Sequence, residues 1–456
     1  METRSQEQKY IRMTTAPVKP LVMKLAVPTI ASMMVTTFYN VADTFFVGKL
    51  NNDSITSAVG VVFAMMAIIQ ATGFFFGHGS GNYISRELGK KNIDGAEEMA
   101  SVGFFSAFAA GILILVFGLI FLDPLAVLLG STPTVLPFAK QYMTFILVGA
   151  PYMTAQLVLN NQLRFQGNAL FAMIGIVSGA VLNIGLDPLF IFAFDLGISG
   201  AAIATIISQA VSFCLLLVGV QKSDSLKIRF RRFKPKWHYF KNIFIGGFPS
   251  LCRQGLASVS AIVLNKTAGA YGDSVLAAFT VVQKVMMFAN SALIGFGQGF
   301  QPVCGFNWGA KKYSRVREAF WFCTISGFVF LLILSVGSYF FAGSIVSLFR
   351  DSEAVAEVGS RILRAQLITF PVMSFVVLSN MMMQNIGKVI NASILAMARQ
   401  GLALIPAILI LTAVAQLDGL IWAQPVADIV TLLVTIPLQA YVLIGMKKAI
   451  RNGRAE

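Results

Sequence analysis

Charge is what this chain has least of. Only 12% of its 456 residues are Asp, Glu, Lys or Arg, about half the ~25% of an ordinary soluble domain. With 56% hydrophobic residues and a mean hydropathy of +0.75, it reads as a polytopic membrane protein. Histidine is almost missing: His78 and His238 are too few and too isolated for a metal site. Four cysteines, Cys214, Cys252, Cys304 and Cys323, share no metal-ligand or redox spacing and read as buried apolar thiols. Walker A, paired acidic prenyl-diphosphate and nucleophile-elbow motifs are all absent. That argues against ATP-driven pumping and against an enzyme, and leaves an ion gradient as the energy source.

Acids are scarcer than bases, 20 against 35, for a net charge of +15. The bases do not form a nucleic-acid patch but sit in short runs between apolar stretches, as the positive-inside rule requires. No nucleic-acid partner is expected.

Twelve apolar stretches approach the ~20 residues of a spanning helix: 22–48, 57–81, 98–122, 135–159, 168–192, 199–220, 243–268, 276–302, 318–341, 356–382, 389–414 and 419–446. The first is too long for a cleavable signal and reads as an uncleaved span. Bases follow the second, fourth, sixth and eighth stretches and close the chain: Arg86, Lys90 and Lys91; Arg164; Lys222 to Lys241; Lys311, Lys312, Arg315 and Arg317; and Lys447, Lys448, Arg451 and Arg454. The opposite connections, 122–133, 194–199 and 416–419, hold almost none. The reading is a multi-pass protein of the plasma membrane with both termini cytoplasmic.

The basic run divides the chain into residues 1–221, a linker 222–242 and residues 243–456. The halves are related at an offset of 220 residues: Asp53-Ser54 recurs as Asp273-Ser274, Gly77-x-Gly79 as Gly297-x-Gly299, Gly89 as Gly309, Pro151 as Pro371, Asn160 as Asn380 and Gly167 as Gly387. Each half has an even number of spans, so the copies enter the membrane in one orientation. The expected fold is all-α: twelve transmembrane helices in two six-helix lobes related by a pseudo-two-fold along the membrane normal, with a cavity between lobes that rock.

Inside the spans, polar residues are rare enough to count as functional candidates. In Val181–Ile191 an otherwise apolar run holds Asn183 and Asp187, four apart and so on one helix face. Pro188 frees a backbone carbonyl next to them. Asp43 in the first span and Thr205 in the sixth fall at similar depth in the outer half of the first lobe. The four would hold one small hard cation, or the two carboxylates would share a proton; alternatively both acids cap helix ends near water. In the second half the Asp43 position is Val263, and Leu404–Ala407 stands opposite Asn183–Asp187. Its intramembrane charges are Arg253, Lys284 and Asp428; the last two either pair as a structural tie or line the cavity. The 39 Phe and 19 Met include Met33-Met34, Met65-Met66, Met286-Met287 and Met381-Met382-Met383; most face lipid.

The segments Ala42–Gly48, Arg164–Gly167, Leu182–Pro188 and Gly197–Thr205 resemble the MATE (multidrug and toxic compound extrusion) family, in its MepA-like bacterial branch. The likeness runs over nearly the whole chain. It implies an alternating-access antiporter that exports organic cations and amphiphilic drugs in exchange for sodium ions or protons, working as a monomer in membrane lipid with no resident cofactor. Its first-lobe cation site maps onto Asp43, Asn183, Asp187 and Thr205, with Tyr39 and Asn160 as nearby candidates. Relatives with acids in the seventh and tenth spans have no counterpart here. A lipid-linked-sugar flippase of the same superfamily is the alternative and would need more cationic groups in its cavity. An integral-membrane enzyme or a pure channel fits less well.

Overall fold

The computed structural model describes residues 2–50, 53–222, 226–349, 352–453 and 455–456. Arg454 of the closing basic run and 223–225 of the linker lie outside the described residues. Among these residues the chain is helical throughout. A short helix α1 (Glu2–Thr15) precedes α2 (Val18–Gly48), α3 (Asp53–Gly89), α4 (Ile93–Ile120), the short α5 (Leu122–Leu128), α6 (Leu136–Phe165), α7 (Ala169–Pro188) and α8 (Gly197–Lys222). The second half holds α9 (Trp237–Gly269), α10 (Asp273–Gly309), α11 (Tyr313–Phe340), α12 (Ala342–Phe349), α13 (Glu353–Thr369), α14 (Met373–Asn385), α15 (Val389–Met397) and α16 (Leu404–Arg451).

Ten stretches are long and apolar enough to cross a bilayer. The last of them, 389–451, is two spans, because the backbone reverses at Ala415 and Gln416 (φ 50°, ψ −126°). A Cβ on Gly419 would strike the Leu411 carbonyl across that turn. Only a glycine lets the two arms come so close. With α9, made more polar by Arg253 and Gln254, the number is twelve, as the hydropathy predicts. The helices overrun the predicted limits by up to a few turns, because polar end residues such as Arg86 and Glu87 continue the hydrogen-bond ladder beyond the apolar core.

The duplication is visible in the backbone. Shifting α3 and α4 by 220 residues reproduces the limits of α10 and α11, and α5 falls on α12. Lys91 and Lys311 share a positive φ of 61° and 59°, and Gly167 and Gly387 one of 80° and 84°. Asn160 Nδ2 donates to the Ala172 carbonyl at 3.0 Å and Asn380 Nδ2 to that of Ala392 at 2.6 Å. Across the lobes α2 packs on α10 and α3 on α9; the pseudo-two-fold exchanges these contacts.

The seam is closed at the end that carries both termini. Gly79 packs against Ile243, Gly89 against Phe306 and Gly299 against Ala26, each too closely for a side chain. The Thr29 hydroxyl donates to the Gly295 carbonyl at 2.6 Å, and Arg86 donates to the Asn385 carbonyl. Arg315 donates to the Ala16 carbonyl at 2.5 Å; within the second lobe the Glu456 amide donates to the Lys311 carbonyl at 3.0 Å, which holds the last residue at this same end. Halfway along, the Thr37 and Ser291 hydroxyls meet at 2.6 Å. Beyond that point α2 exposes Phe38 and Phe45.

The basic connection is held, not loose. Lys234 pairs with Glu98 at 2.6 Å and Arg232 with Asp94 at 2.9 Å, while Phe230 and Phe233 sit edge-on to Phe105. Its final residues from Trp237 onward are already α9. Arg164, predicted in a connection, is instead the last turn of α6 and only 4% exposed.

Candidate functional site

The site grows from three helices that the sequence brings together with small residues. Gly179 of α7 lies on Ser208 and Ser212 of α8, and Gly200 of α8 lies on the Phe190 and Ile191 backbone. At those two points the helices approach to backbone contact. Thr205 is thereby carried against Asn183: Asn183 Nδ2 lies 3.5 Å from Thr205 Oγ1 and 3.4 Å from Asp187 Oδ1. On α2, Tyr39 and Asp43 are four apart and share a face, and α2 packs along α7. Tyr39 reaches Thr205 and Gln209. Asp43 and Asp187 lie within each other's electrostatic reach.

All four predicted residues are in one place. Asp43 is 3% exposed and Asp187 0%, so neither caps a helix end in water. Asp187 stands in the last turn of α7, the end whose dipole disfavours an anion. Pro188 donates no hydrogen bond, and the chain continues in one wide turn, Leu189–Ala193, with five-residue hydrogen-bond spacing. Asp43 Oδ1, Asn183 Oδ1 and Asp187 Oδ2 are buried without a hydrogen-bond partner among the described residues. Burying such groups unpaired is expensive. Two carboxylates, an amide oxygen and a hydroxyl form the donor set of a hard cation, or of a shared proton.

Two residues of the cluster escaped sequence reasoning. Tyr142 of α6, 1% exposed, reaches Thr205 and feels both acids; Gln209 of α8 meets Tyr39. Tyr142 sits in an apolar stretch where an aromatic carries no signal. Gln209, four residues after Thr205, was legible as a shared helix face. Asn160 stands apart from the acids, tied to Ala172, yet shares the wall of a first-lobe cavity of about 140 Å³ with Tyr39, Asn183 and Arg164.

The second lobe holds a larger cavity, about 500 Å³, lined by Arg253, Arg399, Asp428 and several Gln, with Met286, Met287 and Met381. Lys284 is not among its lining residues, and the predicted pairing of Lys284 with Asp428 is not formed. Asp428 pairs with Arg399 at 3.3 Å, and accepts from Gln424 at 2.9 Å and Thr369 at 3.3 Å. Arg399 lies in another wide turn, Ala398–Leu402, inside the eleventh span. On α10, Gln283, Met286 and Met287 line the cavity while Lys284 does not.

Two equivalent six-helix lobes, each with an internal cavity and the first with two buried acids side by side, define a two-lobed membrane transporter. The chain belongs to the MatE family, whose profile matches it twice, over residues 28–189 and 249–409. It is 27% identical over 414 residues to the multidrug export protein MepA of Staphylococcus aureus (strain MRSA252), covering 91% of each chain. To MepA of Staphylococcus haemolyticus it is 27% identical over 90% of each. Among solved structures it resembles a multidrug resistance MATE family transporter of the MOP superfamily in its outward-facing conformation (TM-score 0.91, 25% identity, 96% of this chain and 98% of that one). It also resembles a Pyrococcus furiosus MOP superfamily transporter, described as having a binding pocket of reverse polarity that suggests a different function (TM-score 0.90, 25% identity, 96% and 98%).

Proposed function

We propose that this protein is a multidrug efflux antiporter of the plasma membrane, both termini cytoplasmic, exchanging organic cations and amphiphilic drugs for sodium ions or protons. The observation that carries the coupling is the set of unpartnered oxygens on Asp43, Asn183 and Asp187, buried together beside Thr205. The inward-moving ion is cargo of that site; no resident cofactor is needed, and the monomer suffices. With the terminal end closed, this is the outward-facing arrangement. Ion entry draws the two acids together, and the soft turn after Pro188 lets α7 follow while α2 shifts against α10. Drug affinity falls, and by linkage drug weakens the ion equally.

The relatives' names support export of drugs over the flippase alternative. A diphosphate carrier calls for several free cations in its cavity, whereas here Arg253 is the one lining base without a partner among the described residues, Arg399 being engaged by Asp428 and Lys284 not in the lining. The test is resistance and ethidium efflux in an efflux-deficient bacterium. Asp43→Asn or Asp187→Asn is expected to abolish both at normal membrane levels; full resistance in either variant sinks the reading. Everted vesicles with sodium and pH gradients imposed separately identify the ion.

A further inference from the structure

Acids and bases inside the two lobes are segregated. Asp43 and Asp187 share one end of the first lobe, and Asp428 is fully engaged by Arg399, Gln424 and Thr369. Two guanidinium groups inside the lobes, those of Arg164 and Arg253, pair with no acid among the described residues. Arg164, 4% exposed, gives its amino groups to the neutral oxygens of Asn161 and Gln298, and its Nε has no partner among the described residues. Arg253 makes no hydrogen bond or ion pair among the described residues, and it lines the larger cavity. Both act electrostatically on His78, so they occupy one neighbourhood. It lies where the two cavities adjoin, since Met33 and Phe74 line both.

A guanidinium held among apolar helices without a counter-charge is costly and stays charged. Its five donors match a carboxylate, sulfonate or phosphate in bidentate fashion. About 500 Å³ admits a drug-sized molecule, and the methionines of the wall adapt to varied hydrocarbon. We propose that the second-lobe cavity is a binding site for amphiphiles with an acidic headgroup, zwitterions included. Arg253 anchors the head and the Met and Phe wall takes the tail, while Arg164 lines the adjoining first-lobe cavity and adds only the field of its charge. This deepens the transport reading by adding a cargo class to the cations, and it rests on that reading for the cavity's role as a cargo site.

The test is equilibrium binding to purified full-length protein in maltoside micelles. The probes are 11-(dansylamino)undecanoic acid and a matched dansyl probe ending in trimethylammonium. The acid should bind, and Arg253→Gln should weaken it by roughly ten- to a hundred-fold, the range for hydrogen bonds to a charged group, while leaving the ammonium probe unchanged or tighter. Arg253→Lys should recover part of the loss. If Arg253→Gln fails to fold, displacement of the bound acid by decanoate but not by decyltrimethylammonium, on unmodified protein, gives the same reading. Phosphatidylglycerol added to the micelles separates sources: displacement assigns the head to a lipid, and its failure to a single-chain acid. Equal binding of both probes to the parent, or an acid affinity indifferent to Arg253→Gln, overturns the proposal. Because nothing is transported, failure of coupling is seen separately: in sodium-free buffer at high pH, where the ion site is unloaded in both, Asp187→Asn should bind the acid as the parent does even where efflux is lost.

Discussion

Replacing Asp187 by Asn removes a charge while keeping the shape, and the geometry separates its two consequences. The carboxylate's one hydrogen bond in the cluster, from Asn183, is 3.4 Å long, at the limit of what counts as a bond. An amide loses little there, less than about 1 kcal/mol of stability, and the buried charge it removes has no partner to strand. Folding and insertion should therefore be nearly unchanged. The ion-binding consequence is large, because the site then has one carboxylate instead of two. Coupling between two ligands is typically about 1–3 kcal/mol, or roughly 5- to 150-fold in affinity. In the parent, saturating sodium or low pH, whichever drives transport, should weaken binding of a fluorescent cationic drug by a factor in that range. In Asp187→Asn the factor should fall to about one, with a thermal midpoint within a few degrees of the parent. The assay is drug titration of purified protein with and without the ion. A variant that keeps the parental factor would refute the assignment of coupling to this cluster, whatever its efflux.

Two further outcomes follow from the seam and from the second-lobe tie. The Thr37 and Ser291 hydroxyls are 2.6 Å apart across the lobes, so Thr37→Cys with Ser291→Cys places two thiols within disulfide reach; oxidation should stop dye efflux and a reductant restore it, and undiminished efflux by the cross-linked protein would exclude rocking at this seam. Asp428→Asn leaves the Arg399 guanidinium without its carboxylate, a loss of up to roughly 3–5 kcal/mol for a buried pair; the thermal midpoint should drop clearly, and Arg399→Gln with Asp428→Asn should recover most of it, whereas a double variant as unstable as the single would show that the pair is not the source.

How much of this was legible beforehand depends on how local the signal is. Twelve spans, the 220-residue duplication and the terminal positions of the basic runs are properties of linear order and composition. A helix in a bilayer satisfies its own backbone, so hydropathy alone locates it. The acids Asp43 and Asp187 stood out for the same reason, as rare charges in apolar runs. Partner choice was not legible. Lys284 and Arg399 are both bases in apolar stretches, and only the rotation of α10 and the wide turn 398–402 decide that Arg399 meets Asp428. Arg164 reads as a connection residue by position, yet α6 runs on to Phe165 and buries it at the lobe interface.

Order and chemistry along the chain therefore determined the membrane class, the two equivalent lobes and which rare polar residues had to matter, because insertion energetics act on each segment separately. The packed tertiary structure alone decided which of those residues meet. Close glycine contacts between α7 and α8 and across the lobes set the rotation and depth of every helix, and those two quantities fix whether a buried charge finds a partner, another acid or an open cavity.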